Sequence, residues 1–329
     1  MKYARRMILF GIVICMALVV GSFSMGISAE KYPTRSILWV CPWSSDNESV
    51  AMARILGDMW EKKLGQRIPV TSLTGGSGAK AANYVKNAKA DGYTIFDAWV
   101  APLVVGPLYR PDIGYSYEDF TYIGGLTIMP FTIAVRKDSP WETLDEFVQY
   151  AREHPEIRYN ATGAITVPAM VMIRFLEVAG IEARGIPYPG LMAGIPDFLG
   201  GALDFTIGNV AIIARYGEEI RTLATFADER HPWYPDIPTT KELGYDIGFG
   251  KAGYGWDAVA VKKGTPDYIV EKLRETYKEI VTSEEFQDRC KEIGMWIVYA
   301  SPEEIYERAV RTTELLGPYV DRLLKQQKK

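Results

Sequence analysis

Residues 37–60, ILWVCPWSSDNESVAMARILGDMW, decide the fold. Residues 37–40 are apolar and stop at Pro42, the pattern of a buried strand. Beyond Val50, Ala51, Ile55, Met59 and Trp60 recur at helical spacing, and Leu64-Gly65 ends the run. The intervening VCPWSSDNES segment is thus a loop from a strand into a helix. Backbone N–H groups at a helix start are unsatisfied and carry partial positive charge, so such a junction commonly binds an anion. Loops of this kind are usually small and glycine-rich, whereas this one carries Asp46 and Glu48.

The alternation continues outward. Residues 68–70 read as a strand, Thr74-Gly75-Gly76-Ser77-Gly78 as a glycine-rich loop, 79–88 as a helix, Asp91-Gly92 as a turn and 93–100 as a third strand. This β-α-β-α-β order predicts an α/β fold with a mainly parallel, doubly wound sheet. A second unit follows: a strand at 131–135, an amphipathic helix at 141–152, a strand at 158–161 and a helix at 167–179 with Pro168 in its tolerant first turn. A helix at 190–199, halted by Gly200-Gly201, and strands at 203–207 and 220–226 complete it. Gly248, Gly250, Gly253 and Gly255 then precede Trp256. Glycine there suits a chain crossing between domains, and plain loop geometry explains it equally. A strand at 258–261 and amphipathic helices at 269–281 and 302–316 are expected to pack back onto the first domain.

The 329 residues are 48% hydrophobic and 24% charged, enough for one or two domains with real cores. A net charge of −4 leaves no electrostatic footprint for nucleic acid. Residues 1–29 have the form of a secretory signal: Lys2, Arg5 and Arg6, an apolar run over 7–20, then small residues up to Ile27-Ser28-Ala29. The apolar run is short for a membrane span. Removing the segment takes the net charge from −4 to −7. The mature chain keeps Cys41 and Cys290, which an exported protein could pair. Their places on a buried strand and a late helix favour two free, buried thiols. His154 and His231 lie far apart in sequence, against a histidine metal site, and no cofactor or metal is expected.

Several segments, taken in order, carry a resemblance: Tyr32-Pro33 with the strand at 37–40 and Pro42; Gly75 to Gly78; Ala88-Lys89-Ala90-Asp91-Gly92-Tyr93-Thr94; Tyr159 to Gly163; Ile186-Pro187-Tyr188-Pro189-Gly190; Leu199-Gly200-Gly201-Ala202-Leu203-Asp204; Pro235-Asp236-Ile237-Pro238-Thr239; and Gly264-Thr265-Pro266. The chain resembles the periplasmic substrate-binding proteins of tripartite tricarboxylate transporters, the Bug receptors. The resemblance implies a two-domain Venus flytrap of type II-like form, with two crossing strands and an interdomain cleft. It places domain 1 at 30–130 and 253–329 and domain 2 at 131–252. It implies a periplasmic monomer that captures a small organic acid and delivers it to the membrane permease subunits.

Cleft residues follow from the loops after the strands: Trp43, Ser44, Ser45, Asp46 and Ser49; Gly75, Gly76, Ser77 and Gly78; and Thr162, Gly163 and Thr166. The resemblance adds Trp256 at an aromatic position of the family, Asn209 at a polar one, and Trp99 after the DGYT turn. The glycines either admit a ligand to the backbone or only make a tight turn. The chain departs from the family pattern where Asp46 and Asn47 replace glycines, Glu48 is added, Val50 stands at an aspartate position, and Asp97 and Trp99 follow the DGYT turn. Two carboxylates beside a bound anion would repel it. Either Asp46 and Glu48 point to solvent, with Asp46 or Ser49 capping the helix, or the ligand carries an amine or other donor, or a metal bridges it. Calcium suits a carboxylate cluster better than zinc, but the spacing is not that of a calcium loop. Trp43, Trp99 and Trp256 would offer flat walls to an aromatic or amphipathic ligand, although Trp99 could equally be core. Two other functions compete. Cys41, Ser44 or Ser49 as a nucleophile would make an enzyme, but no histidine lies near them in sequence. A receptor serving a membrane sensor kinase would share the binding chemistry.

Overall fold

The computed structural model describes residues 31–162 and 166–327. The signal segment over 1–29 and Gly163 lie outside the described residues. The chain divides at Thr34/Arg35. Of the first unit, residues 31–34 are described, with the Tyr32–Pro33 peptide cis; all that follows concerns residues 35–329.

The order begins β1 (Leu38–Cys41), α1 (Glu48–Leu64), β2 (Val70–Ser72), α2 (Ala79–Asn87) and β3 (Thr94–Trp99). A wide helical turn, Ala101–Val105, runs into α3 (Gly106–Tyr109). Then come β4 (Phe120–Met129), β5 (Phe131–Arg136), α4 (Leu144–Glu153), β6 (Arg158–Ala161), α5 (Val167–Ala179), β7 (Arg184–Pro187), α6 (Ile195–Leu199), β8 (Phe205–Asn209), α7 (Val210–Tyr216) and β9 (Ile220–Thr225). The chain ends with β10 (Gly255–Lys262), α8 (Asp267–Val281), α9 (Glu284–Glu292), β11 (Ile297–Ala300) and α10 (Pro302–Gln327).

Among the described residues the strands form two sheets, ordered β11-β4-β10-β3-β1-β2 and β7-β6-β8-β5-β9. Both are mixed, which corrects the mainly parallel sheet expected from β-α-β order. The β2-β1-β3 and β7-β6-β8 trios are parallel. The strands next to the crossings run antiparallel: β10 against β3 and β4, and β5 against β8 and β9. Periodicity specifies a strand but not its neighbour or direction. The chain passes between sheets twice, through Pro130 alone between β4 and β5, and through residues 226–254 between β9 and β10.

Local chemistry explains the elements that frame the site. Asn47 caps α1, its side-chain oxygen accepting from the Ser49 N–H at 2.9 Å and the Ser49 hydroxyl at 2.6 Å. The helix thus begins at Glu48, earlier than expected, and neither Asp46 nor Ser49 is its cap. Glu48 lies in the first turn, where the helix dipole favours negative charge. Gly65, at φ 68°, ends the helix. Val50, Ala53, Leu56, Trp60 and Leu64 form its buried face, and Trp60 Nε1 donates to Thr276 Oγ1 of α8 at 2.7 Å. That contact ties α8 to α1. Strand β4 gives no alternation because it is buried on both faces. Its Gly124 is required by close approach, since a Cβ there would stand 2.6 Å from the Tyr277 ring. Helix α10 continues through Pro318, with Leu316 and Val320 buried on either side. Cys41 and Cys290 are free and buried.

Candidate ligand-binding site

A cavity of about 600 Å³ opens outside the carboxyl ends of the parallel strands of both sheets, the general ligand position in open α/β sheets. From the first sheet it takes Trp43 after β1, Gly76 and Ser77 after β2, and Trp99, Val100, Ala101, Val105, Gly106, Tyr109 and Arg110 from the end of β3 and the helical turns beyond it. From the second come Thr162, Thr166, Val167, Pro168 and Pro189. Met129, Phe131 and Gly255 line it at the crossings. Another cavity, of about 540 Å³, lies between residues 228–251 and α10, where Asp228, Asp246, Glu304 and Glu307 face Lys241, Lys251, Arg308 and Arg311. It is charge-balanced and away from the strand ends.

The glycine-rich loop is built from left-handed turns. Gly76 (φ 58°), Ser77 (φ 55°) and Gly78 (φ 91°) follow one another. Ser77 is the only non-glycine residue at positive φ among the described residues, a strained conformation. A Cβ at Gly78 would meet Pro102 at 2.9 Å and Pro42 at 3.0 Å. Gly78 therefore serves the turn, while Gly76 and Ser77 face the cavity. Gly75 does not line it.

The first loop divides similarly. Trp43 reaches the cavity and meets Trp99 edge-on, ring centroids 6.3 Å apart at 73°. Ser44, Ser45, Asp46 and Glu48 are exposed and outside the lining. A hydrogen bond from Ser44 holds the Asp46 carboxyl below its usual range, and the Ser45 carbonyl accepts from Arg54 at 3.2 Å. Ser49 is buried against Asn47. In the second sheet, the Thr162 and Thr166 hydroxyls are 2.7 Å apart, and Thr166 caps α5. Asn160 bonds both the N–H and the C=O of Ile207, tying β6 to β8 beneath them. Asn209 caps α7 through the Ile212 N–H at 3.1 Å, and its amide donates to the Met129 sulfur at 3.7 Å. It thus stands behind a lining residue. Trp256 is fully buried and away from the cavity.

Trp99 is positioned by a buried acid. Its Nε1 donates to Asp97 Oδ2 at 3.1 Å. Asp257 lies opposite Trp99 on β10, which makes the two acids diagonal neighbours on one face. Asp257 Oδ1 accepts from the Thr127 N–H at 2.9 Å. Asp97 Oδ1 and Asp257 Oδ2 have no partner among the described residues. Burial raises both carboxyls above their usual range, and the charge of Asp97 raises Asp257 further. Burial and the nearby Asp97 also raise the Cys41 thiol. No group of three or more metal-ligating side chains occurs among the described residues.

Arg110, Tyr109, Met129 and Phe131 were not anticipated from the sequence. The rule that loops after strands face the cleft applies equally to the segment after β3, APLVVGPLYR, and would have reached Tyr109 and Arg110. Met129 and Phe131 become visible only once the crossing at Pro130 is known.

Two mixed sheets joined by two crossings, with a cavity at their strand ends, define a two-domain periplasmic binding protein. The sequence pattern described as "Tripartite tricarboxylate transporter family receptor" matches residues 52–320, and the chain belongs to that family. Its members are periplasmic solute-binding receptors, not enzymes, and work with a tripartite transporter. Protein BugT of Bordetella pertussis is 26% identical over 309 residues, 92% of this chain and 93% of BugT. The crystal structure of a TctC solute binding protein from Polaromonas matches with a TM-score of 0.74 at 26% identity, covering 88% of this chain and 99% of that one. The structure of R. palustris Rpa4515 with adipate matches with a TM-score of 0.73 at 25% identity, covering 88% and 97%.

Proposed function

We propose that this chain captures a small organic acid in the cavity between its two sheets and delivers it to the permease subunits of a tripartite tricarboxylate-type transporter. The carrying observation is the cavity of about 600 Å³ at the strand ends, lined from both sheets. A relative of similar fold is described with adipate, which supports a carboxylate ligand. Residues 30–130 with 253–329 form one lobe and 131–252 the other, and the ligand completes the contact between them. Residues 1–29 direct export to the periplasm, and the receptor acts as a monomer. Trp43, Gly76, Ser77, Trp99, Thr162 and Thr166 are the anticipated residues that touch the ligand, with Gly163 beside them in sequence. Exposed Asp46 and Glu48 lie outside the lining, which removes the electrostatic objection to an anion.

The test is thermal stability of the mature protein against adipate, malate, citrate, phenylacetate and matched amines. A ligand at 100 times its Kd adds about 2.7 kcal/mol, a readable shift. Stabilisation by at least one acid is expected. Stabilisation by amines alone would refute the proposal.

A further inference from the structure

We infer that Arg110 sets the ligand's charge, so that the cleft takes one carboxylate at the Arg110 end and an apolar, aromatic body against Trp43 and Trp99. This rests on the organic-acid function proposed above and narrows it to a class of ligand.

Among the described lining residues, Arg110 is the only one with a formal charge. It makes no ion pair among the described residues. It follows directly on α3, whose Tyr109 also lines the cavity. Its Nη2 stands 3.4 Å from where a Cβ on Gly76 would be. The guanidinium therefore lies over the left-handed turn, and glycine at 76 leaves it room. An arginine facing a cleft that closes must lose water or gain an anion, and its planar fork fits a carboxylate with two parallel hydrogen bonds.

The remaining lining fixes what the rest of the ligand can be. Val105, Met129, Phe131 and Val167 are apolar, and the described lining holds no second cation. The two indoles that meet edge-on at 73° add aromatic surface to this lining. The hydroxyls of Ser77, Thr162 and Thr166 can satisfy a neutral polar substituent. One positive charge in an otherwise uncharged cavity favours a monoanion over a di- or trianion, whose extra carboxylates would be desolvated without a partner.

The experiment is calorimetric titration of the mature protein with phenylacetate, its neutral isostere phenylacetamide, adipate and malate, repeated on Arg110→Gln and Arg110→Lys. Arg110 is exposed at a helix end, and the melting temperatures of the variants confirm that they fold. Wild type is expected to bind phenylacetate at least tenfold more tightly than malate. Arg110→Gln should lose at least tenfold for phenylacetate and much less for phenylacetamide, with Arg110→Lys in between for phenylacetate. Equal phenylacetate binding by wild type and Arg110→Gln, or tighter binding of malate or adipate than of phenylacetate by wild type, would overturn the inference and leave the organic-acid function standing. Failure of every acid to bind would remove both.

Discussion

Asp97 and Asp257 show how a single pair of side chains can set the pH response of the molecule. Both sit in the first sheet with no exposure, and burial keeps their carboxyls above the usual range. A carboxyl with a raised folded pKa is protonated in the fold while the unfolded chain is already ionised. Its stabilising contribution is complete below the unfolded value near 4 and falls as pH rises from there to the raised folded values. His231 has the opposite sign. Burial against Trp296, ring centroids 4.2 Å apart, lowers it to about 4. It stays neutral in the fold, and stability is lost as pH drops from about 6.5 to about 4. Between about pH 4 and 6.5 the two effects oppose each other, and above about 6.5 the acids act alone, so the melting temperature should fall along an alkaline limb. Asp97→Asn keeps an acceptor for Trp99 and removes an ionisation, so its melting temperature should fall less steeply as pH rises. Parallel limbs for the two proteins in a calorimetric pH series would show that the pair does not titrate on unfolding. Neither effect is legible in the sequence, where Asp97 and Asp257 lie 160 positions apart and only strand register makes them neighbours. Trp43, Gly76 and Ser77 could be anticipated because they immediately follow strands that periodicity reveals. Trp256, expected as a cleft wall, is instead buried in the core on β10.

The glycine-rich loop is the element on which the first wall depends. Gly78→Ala would force a side chain against Pro42 and Pro102 at φ 91°, a combination expected to cost about 2–4 kcal/mol. Gly190→Ala, with nothing within 4 Å and no left-handed φ, should change stability by less than about 1 kcal/mol. Denaturant unfolding of the two variants would decide the matter; equal losses would mean that the turn is not under packing constraint. Helices were legible where capping and burial agree, as in α4, whose Thr143–Glu146 capping box precedes the buried Leu144, Phe147, Val148 and Ala151. Strand β4 was not, because burial on both faces removes alternation and Gly124-Gly125 reads as a turn. The helix expected over 190–199 is shorter, with a tight turn at Met192–Gly194 leading into α6, since Gly190 and Gly194 weaken its first half. Helix α10 runs past the expected stop at Gly317-Pro318 because apolar residues beyond the proline are also buried.

At the scale of the whole molecule, a cavity lined from two sheets predicts motion. Saturation with an acid that stabilises the protein should reduce the radius of gyration in solution scattering, as contacts from both sides of the cleft form together. An unchanged radius at proven saturation would mean that the ligand enters a cleft already closed. The two-unit α/β alternation was readable from periodicity, but the paired lobes and the transporter came from the ordered motifs of a family, because periodicity carries no strand order. That strand order has a further consequence. Strand β10 lies between β3 and β4, yet more than a hundred residues separate β4 from β10 along the chain. The ribosome therefore releases two strands whose facing edges must wait while the whole second sheet is made. Until residue 262 emerges, the first sheet has an open slot and cannot close its core. The order of synthesis thus keeps the nascent chain unfinished, and the last quarter of the molecule acts as the keystone that completes its first sheet.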